Sequence, residues 1–322
     1  MAMPSYINQE SFTESGVEFG QRPWVLPGTF TRPKESGQFP CVILVHGSGP
    51  QDRNETIGPN QPFRDLAWGL ASKQIAVLRY EKRTRIYPDE FKNLSSFTIK
   101  EETTDDVISA IEFVRGLDRV DNQKIFVLGH SLGGFILPRI LKTYPQTEDL
   151  AGVILLAANA RSLDEVMASQ VAYLETLEDT TADIREVLES MKTQIGLIKS
   201  LRQNPRADVS PFDVPSSYWI DLQDYHPPET LCETKIPALI LQGESDYQVR
   251  WDSDFRLWQE HSRSCPQLTC LSYPGLHHLF MTSSTPMATP RVYAQADHVH
   301  PRVLTDIVNW IGTGSTHPAN MH

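Results

Sequence analysis

Residues 124–134 read KIFVLGHSLGG, an apolar run that ends in a glycine-rich turn. The turn contains the pattern G-x-S-x-G at residues 129–133. Where this pattern follows a buried strand and opens a helix, the serine lies on a strained turn that exposes its hydroxyl above the sheet. Both flanks fit, because an apolar run precedes the turn and residues 132–143 have helical spacing. The stretch therefore predicts Ser131 as a nucleophile beside a helix N-terminus, whose dipole favours negative charge.

The same alternation of apolar runs and helical segments extends along the chain on both sides of the motif. Continuous apolar runs indicate strands buried on both faces, and their alternation with helices indicates a parallel, doubly wound sheet. The sequence thus predicts the α/β class, with two additional strands within residues 12–33. The predicted core strands are 41–47, 75–80, 124–130, 152–158, 236–243 and 268–275, and the predicted helices are 63–73, 104–117, 132–143, 251–262 and 301–312.

One long segment interrupts this alternation, from about residue 159 until the apolar run IPALILQG at 236–243. Strand–helix connections usually have about 2–6 residues, so an inserted subdomain is expected here. We predict a helical cap at 159–235 on a core domain made of residues 1–158 and 236–322. Because the cap leaves the carboxyl end of a strand, where Ser131 is expected, it should cover the site.

Apolar side chains of the predicted cap recur at helical spacing, which we interpret as packing faces. One face carries Met167, Val171 and Leu174, and another carries Ile184, Val187, Met191, Ile195 and Ile198. Four aromatic residues follow in the irregular part of the cap, namely Phe212, Tyr218, Trp219 and Tyr225. Some of these four are expected to line an acyl or aromatic pocket.

A serine hydroxyl is a weak nucleophile and needs a general base, which is itself oriented by an acid. In hydrolases with this strand–turn–helix motif, the chain order is serine, acid, histidine. Asp246 follows the strand predicted at 236–243 and is the preferred acid, although Glu244 is closer to the strand end. The alternative for Asp246 is a solvated cap of the next helix.

The candidate base is one of two adjacent histidines. His277 and His278 lie in the loop after the strand predicted at 268–275. Spacing does not decide between them; one should point into the cleft and the other away from it. His298 and His300 lie near a predicted helix start and are interpreted as surface or capping groups.

A second glycine-rich loop, HGSGP at 46–50, follows the first core strand. Acyl transfer requires hydrogen-bond donors where the carbonyl oxygen becomes negative. One expected donor is the backbone N–H of Leu132, the residue after the nucleophile, and the other comes from this loop, where Ser48 is favoured over Gly49. A phosphate-binding role is disfavoured because the pattern GxxxxGK[ST] is absent from the sequence.

These motifs together resemble the serine-nucleophile branch of the α/β-hydrolase superfamily, and more narrowly bacterial esterases close to acyl-CoA thioesterase and dienelactone hydrolase relatives. The resemblance spans about residues 15–312 and is carried by LPGTFTRP (26–33), HGSGPQDRNETIGPNQPFRDLAWGLA (46–71), LRYEKR (78–83), GHSLGG (129–134), AANAR (157–161), GESDYQV (243–249) and LHHLF (276–280). It implies a mostly parallel sheet with a helical cap.

The resemblance also assigns the base. The subfamily usually has Asn-His before Leu-Phe, which puts His278 at the catalytic position and His277 in place of the asparagine. Two further departures, at Glu81 and at Asn54, lie outside the triad. The implied function is hydrolysis of esters or thioesters through an acyl-serine, without a metal or organic cofactor. Acyl transfer, amide or peptide hydrolysis, and a catalytically silent binding protein are the alternatives.

Composition limits the partners and the compartment. The 322 residues include 29 Lys and Arg against 40 Asp and Glu, a formal net charge of −11. An acidic chain disfavours non-specific binding to nucleic acid or to an anionic membrane. The sequence has neither a signal-peptide pattern nor an apolar stretch of about 18 residues, so a cytoplasmic protein is expected, acting on a small-molecule ester. Oligomeric state stays open between monomer and homodimer.

The four cysteines, Cys41, Cys232, Cys265 and Cys270, form neither a CxxC motif nor a metal-ligand run. Cys265 and Cys270 are close enough in sequence to suggest a disulfide, but reduced thiols are expected because a core of this size needs no cross-link.

A locally basic stretch comprises Arg53, Arg79, Lys82, Arg83 and Arg85. We favour ion pairs with Asp52, Glu55 and Glu81 over recognition of an anionic substrate tail.

Overall fold

A mixed sheet forms the centre of the computed structural model, which describes residues 3–178 and 181–313. Its eight strands are β1 (Phe12–Phe19), β2 (Leu26–Pro33), β3 (Phe39–Val45), β4 (Ala76–Tyr80), β5 (Val120–His130), β6 (Gly152–Leu156), β7 (Ala238–Gly243) and β8 (Leu268–Tyr273). Their order is β1-β2-β4-β3-β5-β6-β7-β8. The β1–β2 and β2–β4 pairs are antiparallel and the other pairs are parallel. The predicted mostly parallel sheet is confirmed.

Helices lie between most of the strands. They are α1 (Pro62–Ala71), α2 (Arg83–Ile86), α3 (Pro88–Lys92), α4 (Asp105–Arg115), α5 (Leu132–Thr143), α6 (Leu163–Glu175), α7 (Ala182–Leu201), α8 (Ser216–Asp221), α9 (Pro227–Cys232), α10 (Arg256–Ser262) and α11 (Pro301–Gly312). The five helices predicted for the core are present as α1, α4, α5, α10 and α11. The predicted start at 251 is instead a π-helical turn, Trp251–Phe255, that leads into α10. Helices α2 and α3 were not predicted, because neither is long enough to show a helical period.

Each face of the sheet is covered by its own group of helices. Successive residues of a strand point to opposite faces. In β3, Ile43 and Val45 pack in the cluster that contains residues of α4 and α5, whereas Val42 and Leu44 pack with residues of α1 and α11. Burial on both faces explains why the core strands are continuously apolar.

The segment between β6 and β7 contains α6, α7, α8 and α9. Leu188 and Ile195 of α7 pack with Val171 of α6. The predicted packing face of α7 is wrong at its first turns, since Ile184 is 46% and Val187 is 59% exposed. The buried stripe runs through Leu188 instead, because only that side of α7 meets α6.

The carboxyl-terminal part of the same segment packs on the core. The hydroxyl of Tyr225 donates a hydrogen bond to the Phe135 carbonyl (2.8 Å) and accepts one from the Arg139 amide (3.1 Å), both on α5. Tyr225 therefore joins α5 to the turn before α9. No helix in the described ranges is long and apolar enough to cross a membrane.

A disulfide joins Cys232 and Cys265, whose Cα atoms are 5.6 Å apart. The expectation of reduced thiols is wrong for this pair. Cys270, the sequence neighbour considered as a partner for Cys265, is a free cysteine, as is Cys41. The two bonded residues are 33 apart in sequence. They meet because α9 packs beside α10, a contact that cysteine spacing does not reveal.

Candidate active site

The nucleophile turn joins β5 directly to α5. Ser131 has φ 52° and ψ −118°, a left-handed conformation that side chains other than glycine rarely adopt. A Cβ at Gly129 would lie 2.5 Å from the Gly133 carbonyl carbon, and one at Gly133 would lie 2.5 Å from the Val45 oxygen. Glycine is therefore required at both positions for the turn to close. The result is a strained serine at the start of a helix, in the arrangement that the motif predicts.

The acid and base side chains converge from the loops after β7 and β8. Nδ1 of His278 lies 2.7 Å from Oδ2 of Asp246, and the Asp246 side chain is fully buried. Three further donors hold this carboxylate: the backbone amides of Gln248 and Val249 bind Oδ1 at 2.7 and 3.1 Å, and Nε2 of Gln242 binds Oδ2 at 3.1 Å. A carboxylate fixed at both oxygens sets the orientation of the imidazole in contact with it.

Glu244, the competing acid, is engaged elsewhere. Its Oε1 accepts a hydrogen bond of 2.7 Å from the Ser272 hydroxyl. Asp246 is thus the carboxylate that the fold brings to a histidine of the 277–278 pair.

The two adjacent histidines have different surroundings. His278 lines the same cavity as Ser131. The His277 ring packs edge-on against Tyr293, with 5.5 Å between centroids, and its Nδ1 accepts the Leu279 amide at 3.2 Å. Burial lowers the pKa of His277 to about 4, which keeps this ring neutral. The geometry favours His278 as the base and a packing role for His277.

The other two histidines named as candidates, His298 and His300, do not contact Asp246 or Ser131. Nδ1 of His298 is 2.9 Å from Oδ2 of Asp65 on α1. His300 is the N-cap of α11, where its side chain accepts the Arg302 amide.

The loop after β3 approaches the nucleophile closely. A Cβ at Gly47 would lie 3.2 Å from the Ser131 Cβ. The Gly47 amide is already used, because it donates to Oε1 of Glu55 at 2.7 Å. The next amide, that of Ser48, and the amide of Leu132 at the first position of α5 both belong to residues that line the cavity. N–H groups at a helix start have no intrahelical acceptor, so the Leu132 amide is available to a ligand.

The cavity above Ser131 has a volume of about 510 Å³, within the range of small-molecule sites. Three loops or turns of the core contribute Gly47, Ser131 and His278 to the cavity lining. Its apolar wall comes largely from the segment between β6 and β7, through Leu163, Val166, Met167, Phe212, Val214, Tyr218 and Trp219. Three of the four aromatic residues singled out in the sequence therefore line the cavity, whereas Tyr225 packs on α5.

The basic stretch is ion-paired, as the favoured interpretation predicted, although several partners differ. Arg53 and Arg85 pair with Glu81, at 2.5 and 3.3 Å. Lys82 pairs with Glu102 at 2.6 Å. Arg79 pairs with Glu14, and Arg83 pairs with Asp106.

The two other carboxylates expected to pair with this basic stretch have different roles. Asp52 accepts the amides of Asn54 and Thr56 at 3.0 and 2.9 Å within its own loop. Glu55 is buried against His130, with Oε2 2.9 Å from Nδ1. The sequence does not reveal this contact, because it joins the loop after β3 to the end of β5, which only the fold brings together.

Exchange of the two adjacent histidines for neutral residues should have very different effects. We expect His278→Gln to lower kcat by about 10³-fold, since it removes the side chain that we assign as the general base, and His277→Asn to stay within about threefold of the wild type. Steady-state hydrolysis of p-nitrophenyl acetate measures both. Equal losses in the two variants would contradict the assignment.

This arrangement defines a class: an α/β-hydrolase core with a serine on the strand–turn–helix motif. Comparison with known proteins agrees. The family described as "Serine aminopeptidase, S33" matches residues 41–206. Esterase EstD of Thermotoga maritima is 36% identical over 309 residues, which cover 96% of this chain and 70% of the relative. The chain therefore belongs to the family described as "Serine aminopeptidase, S33", which is a family of serine hydrolases.

More distant likenesses agree with the fold. The acylamino-acid-releasing enzyme of Rattus norvegicus is 20% identical over 248 residues, covering 77% of this chain and 30% of that protein. Among solved structures, Est1E from Butyrivibrio proteoclasticus matches with a TM-score of 0.58 and 15% identity, covering 93% of this chain and 98% of the other. A thermophilic esterase from Thermogutta terrifontis matches with a TM-score of 0.52 and 19% identity, covering 94% and 100%.

Proposed function

We propose that the protein hydrolyses carboxylic esters of small to medium acyl groups through a covalent acyl-Ser131 intermediate. The observation that carries the proposal is that Ser131 and His278 line one largely apolar cavity, with the His278 ring held by the buried Asp246. The likeness to Esterase EstD supports an ester as the substrate.

The proposed reaction has two half-reactions. His278 takes the Ser131 proton as the serine oxygen attacks the ester carbonyl, and Asp246 stabilises the imidazolium. The N–H groups of Leu132 and Ser48 hold the negative oxygen of the tetrahedral intermediate. His278 then protonates the departing alkoxide, the carbon–oxygen bond breaks, and the acyl group stays on Ser131. Water, deprotonated by His278, attacks this acyl-enzyme, and the acid leaves as Ser131 is regenerated.

The test is hydrolysis of p-nitrophenyl esters from acetate to long acyl chains. The proposal predicts turnover that is highest for short to medium chains. Absence of turnover with every ester of the series would contradict it. Adding an alcohol or an amine to the same assay, with product analysis, distinguishes hydrolysis from acyl transfer.

An amide or peptide is the second candidate substrate, favoured by the family description and by the likeness to the acylamino-acid-releasing enzyme. Paired substrates with the same acyl group, one a p-nitrophenyl ester and the other a p-nitroanilide, separate the two. A higher kcat/KM for the anilide would replace the ester proposal by the amide one.

Trp219 is the residue we expect to limit acyl-chain length. Its buried ring lines the cavity, held by a 3.1 Å hydrogen bond from Nε1 to the Pro211 carbonyl. Trp219→Ala should raise the ratio of kcat/KM for the octanoate over the acetate ester by about tenfold, because the shortened side chain leaves room for extra methylenes. The matched control is Trp24→Ala, a half-buried tryptophan away from the cavity, packed edge-on against Tyr87. A ratio unchanged in Trp219→Ala, or changed equally in both variants, would contradict the assignment.

A further inference from the structure

Two buried charged side chains outside the proposed triad connect the loops of the site. Glu55 is 1% and His130 is 4% exposed. Nδ1 of His130 lies 2.9 Å from Oε2 of Glu55, and Nε2 lies 3.0 Å from the backbone oxygen of His278. The other Glu55 oxygen, Oε1, accepts the Gly47 amide at 2.7 Å. The pair thus touches the loops after β3 and β8, and His130 is the residue directly before Ser131.

The contacts of His130 define its protonation. A backbone carbonyl only accepts hydrogen bonds, so Nε2 must carry a proton. Nδ1 faces a carboxylate at ion-pair distance, although the two atoms are not aligned as a hydrogen bond, and the charge favours a second proton there. Burial alone would lower the pKa of His130, but Glu55, the His278 carbonyl and the charge of Asp246 together more than offset burial, and the pKa is raised. Burial would likewise raise the pKa of Glu55, yet the neighbouring His130 leaves it lowered.

We propose that Glu55 and the imidazolium of His130 form a positioning pair. By this we mean that the two side chains together fix the positions of the His278 backbone and of the Gly47–Ser48 loop relative to Ser131. The inference rests on the proposed hydrolysis through Ser131. Neither side chain of the pair forms or breaks a bond with the substrate. Through His278 the pair acts on the general base, whose ring centroid is 4.6 Å from that of His130. Through Gly47 it acts on the adjacent Ser48 amide.

This arrangement predicts an effect on kcat rather than on KM. The base and the oxyanion donors act mainly in the transition state, so misplacing them lowers turnover without weakening ground-state binding. A displacement of about 1 Å at a reacting group costs up to about 10²-fold in rate. Glu55 and His130 line the cavity next to Ser131, whereas the apolar wall proposed to bind the acyl group comes largely from a different segment, residues 163–219.

The experiment compares His130→Leu with His130→Gln on p-nitrophenyl acetate. Active sites are counted by fluorophosphonate labelling run to completion, so that misfolded protein does not enter kcat. We expect His130→Leu to lower kcat per labelled site by about 10-fold to 100-fold with KM within about threefold. His130→Gln should recover at least half of the decrease in log kcat that His130→Leu causes, because the glutamine amide can donate to the His278 carbonyl. A kcat for His130→Leu within threefold of the wild type, or no recovery by glutamine, would overturn the proposal.

Two further variants keep the test decisive. Should His130→Leu fail to fold, His130→Asn replaces it: asparagine is polar but too short to reach the His278 carbonyl, and it should resemble leucine rather than glutamine. The matched control is His298→Leu, which breaks a histidine–carboxylate contact of 2.9 Å with Asp65, away from the cavity lining. It should lower the unfolding midpoint and leave kcat per site unchanged.

The Ser131→Ala variant distinguishes failure of the proposed hydrolysis through Ser131 from failure of the positioning role alone. Ser131→Ala lacks the residue that the fluorophosphonate is expected to label, so its rate is measured per total protein, and it should be inactive. If it hydrolyses the ester like the wild type, the acyl-Ser131 mechanism is wrong. If Ser131→Ala is inactive while the residue 130 series is indistinguishable from the wild type, only the positioning role is wrong.

Discussion

Replacing Ser131 by alanine should lower kcat/KM for p-nitrophenyl acetate by about 10³-fold or more. In the proposed mechanism the serine oxygen forms the bond to the acyl carbon, so its removal leaves only substrate binding and the oxyanion donors. Alanine keeps the Cβ and tolerates the turn no worse than serine does, and the fold should persist. Steady-state rates at matched protein concentration, with circular dichroism as the check of folding, measure the effect.

Ser162→Ala is the matched control for this variant. The Ser162 hydroxyl donates to Glu165 at 3.0 Å at the start of α6 and does not line the cavity above Ser131. The control should keep wild-type kcat/KM within about threefold. Activity of Ser131→Ala within tenfold of the wild type would mean that another group attacks the substrate.

Asp246→Asn should lower kcat by about 10³–10⁴-fold while the protein stays folded. Two backbone amides, those of Gln248 and Val249, donate to Oδ1, against one side-chain donor, Nε2 of Gln242, at Oδ2. We therefore expect the introduced amide to place its oxygen at the Oδ1 position and its NH2 group at the former Oδ2 position. That NH2 group then faces Nδ1 of His278 as a donor. It favours the tautomer whose proton is on Nε2, the atom that must accept the serine proton. With Nε2 of His278 already protonated, the imidazole cannot accept the serine proton, which is a larger defect than a lowered basicity.

Glu244→Gln, two residues earlier, is the control for Asp246→Asn. Its contact is with Ser272, outside the catalytic cluster, and kcat should change by less than about threefold. Steady-state kinetics and a thermal unfolding midpoint are measured for both variants. Similar kcat values for the two would show that Asp246 does not orient the base.

Much of this site is predictable from local sequence. The turn that carries Ser131 is encoded within residues 124–134, because its strand, its glycines and the start of its helix are neighbours in the chain. Asp246 also follows from local pattern, as the first aspartate beyond a buried strand. Each of these predictions rests on a hydrophobic period or a turn sequence that is contained in a short continuous segment of the chain.

Features that depend on contacts between distant segments were not predictable in the same way. Spacing did not choose between His277 and His278, since adjacent loop residues point apart only once Tyr293 packs on one of them. The disulfide of Cys232 with Cys265 depends on α9 meeting α10.

Charge pairing shows the same limit. Sequence proximity suggested that Glu55 pairs with a nearby arginine, whereas the fold buries it against His130. Among the acids that pair with the basic stretch, Glu14, Glu102 and Asp106 lie outside residues 52–85, which contain the stretch and its expected partners. An ion-pair partner is chosen by the packing of strands and loops, so composition predicts that pairs form but not which ones.

Trapping the acyl-enzyme tests the central claim most directly. Wild-type protein is mixed with p-nitrophenyl acetate, quenched in acid within the first turnovers, digested, and analysed by peptide mass spectrometry. The account predicts one added acetyl group on the peptide that contains Ser131, and no acetylated peptide at that position in Ser131→Ala. Hydrolysis that proceeds with no acetyl group at Ser131, or with acetyl on a different residue in both proteins, would contradict it.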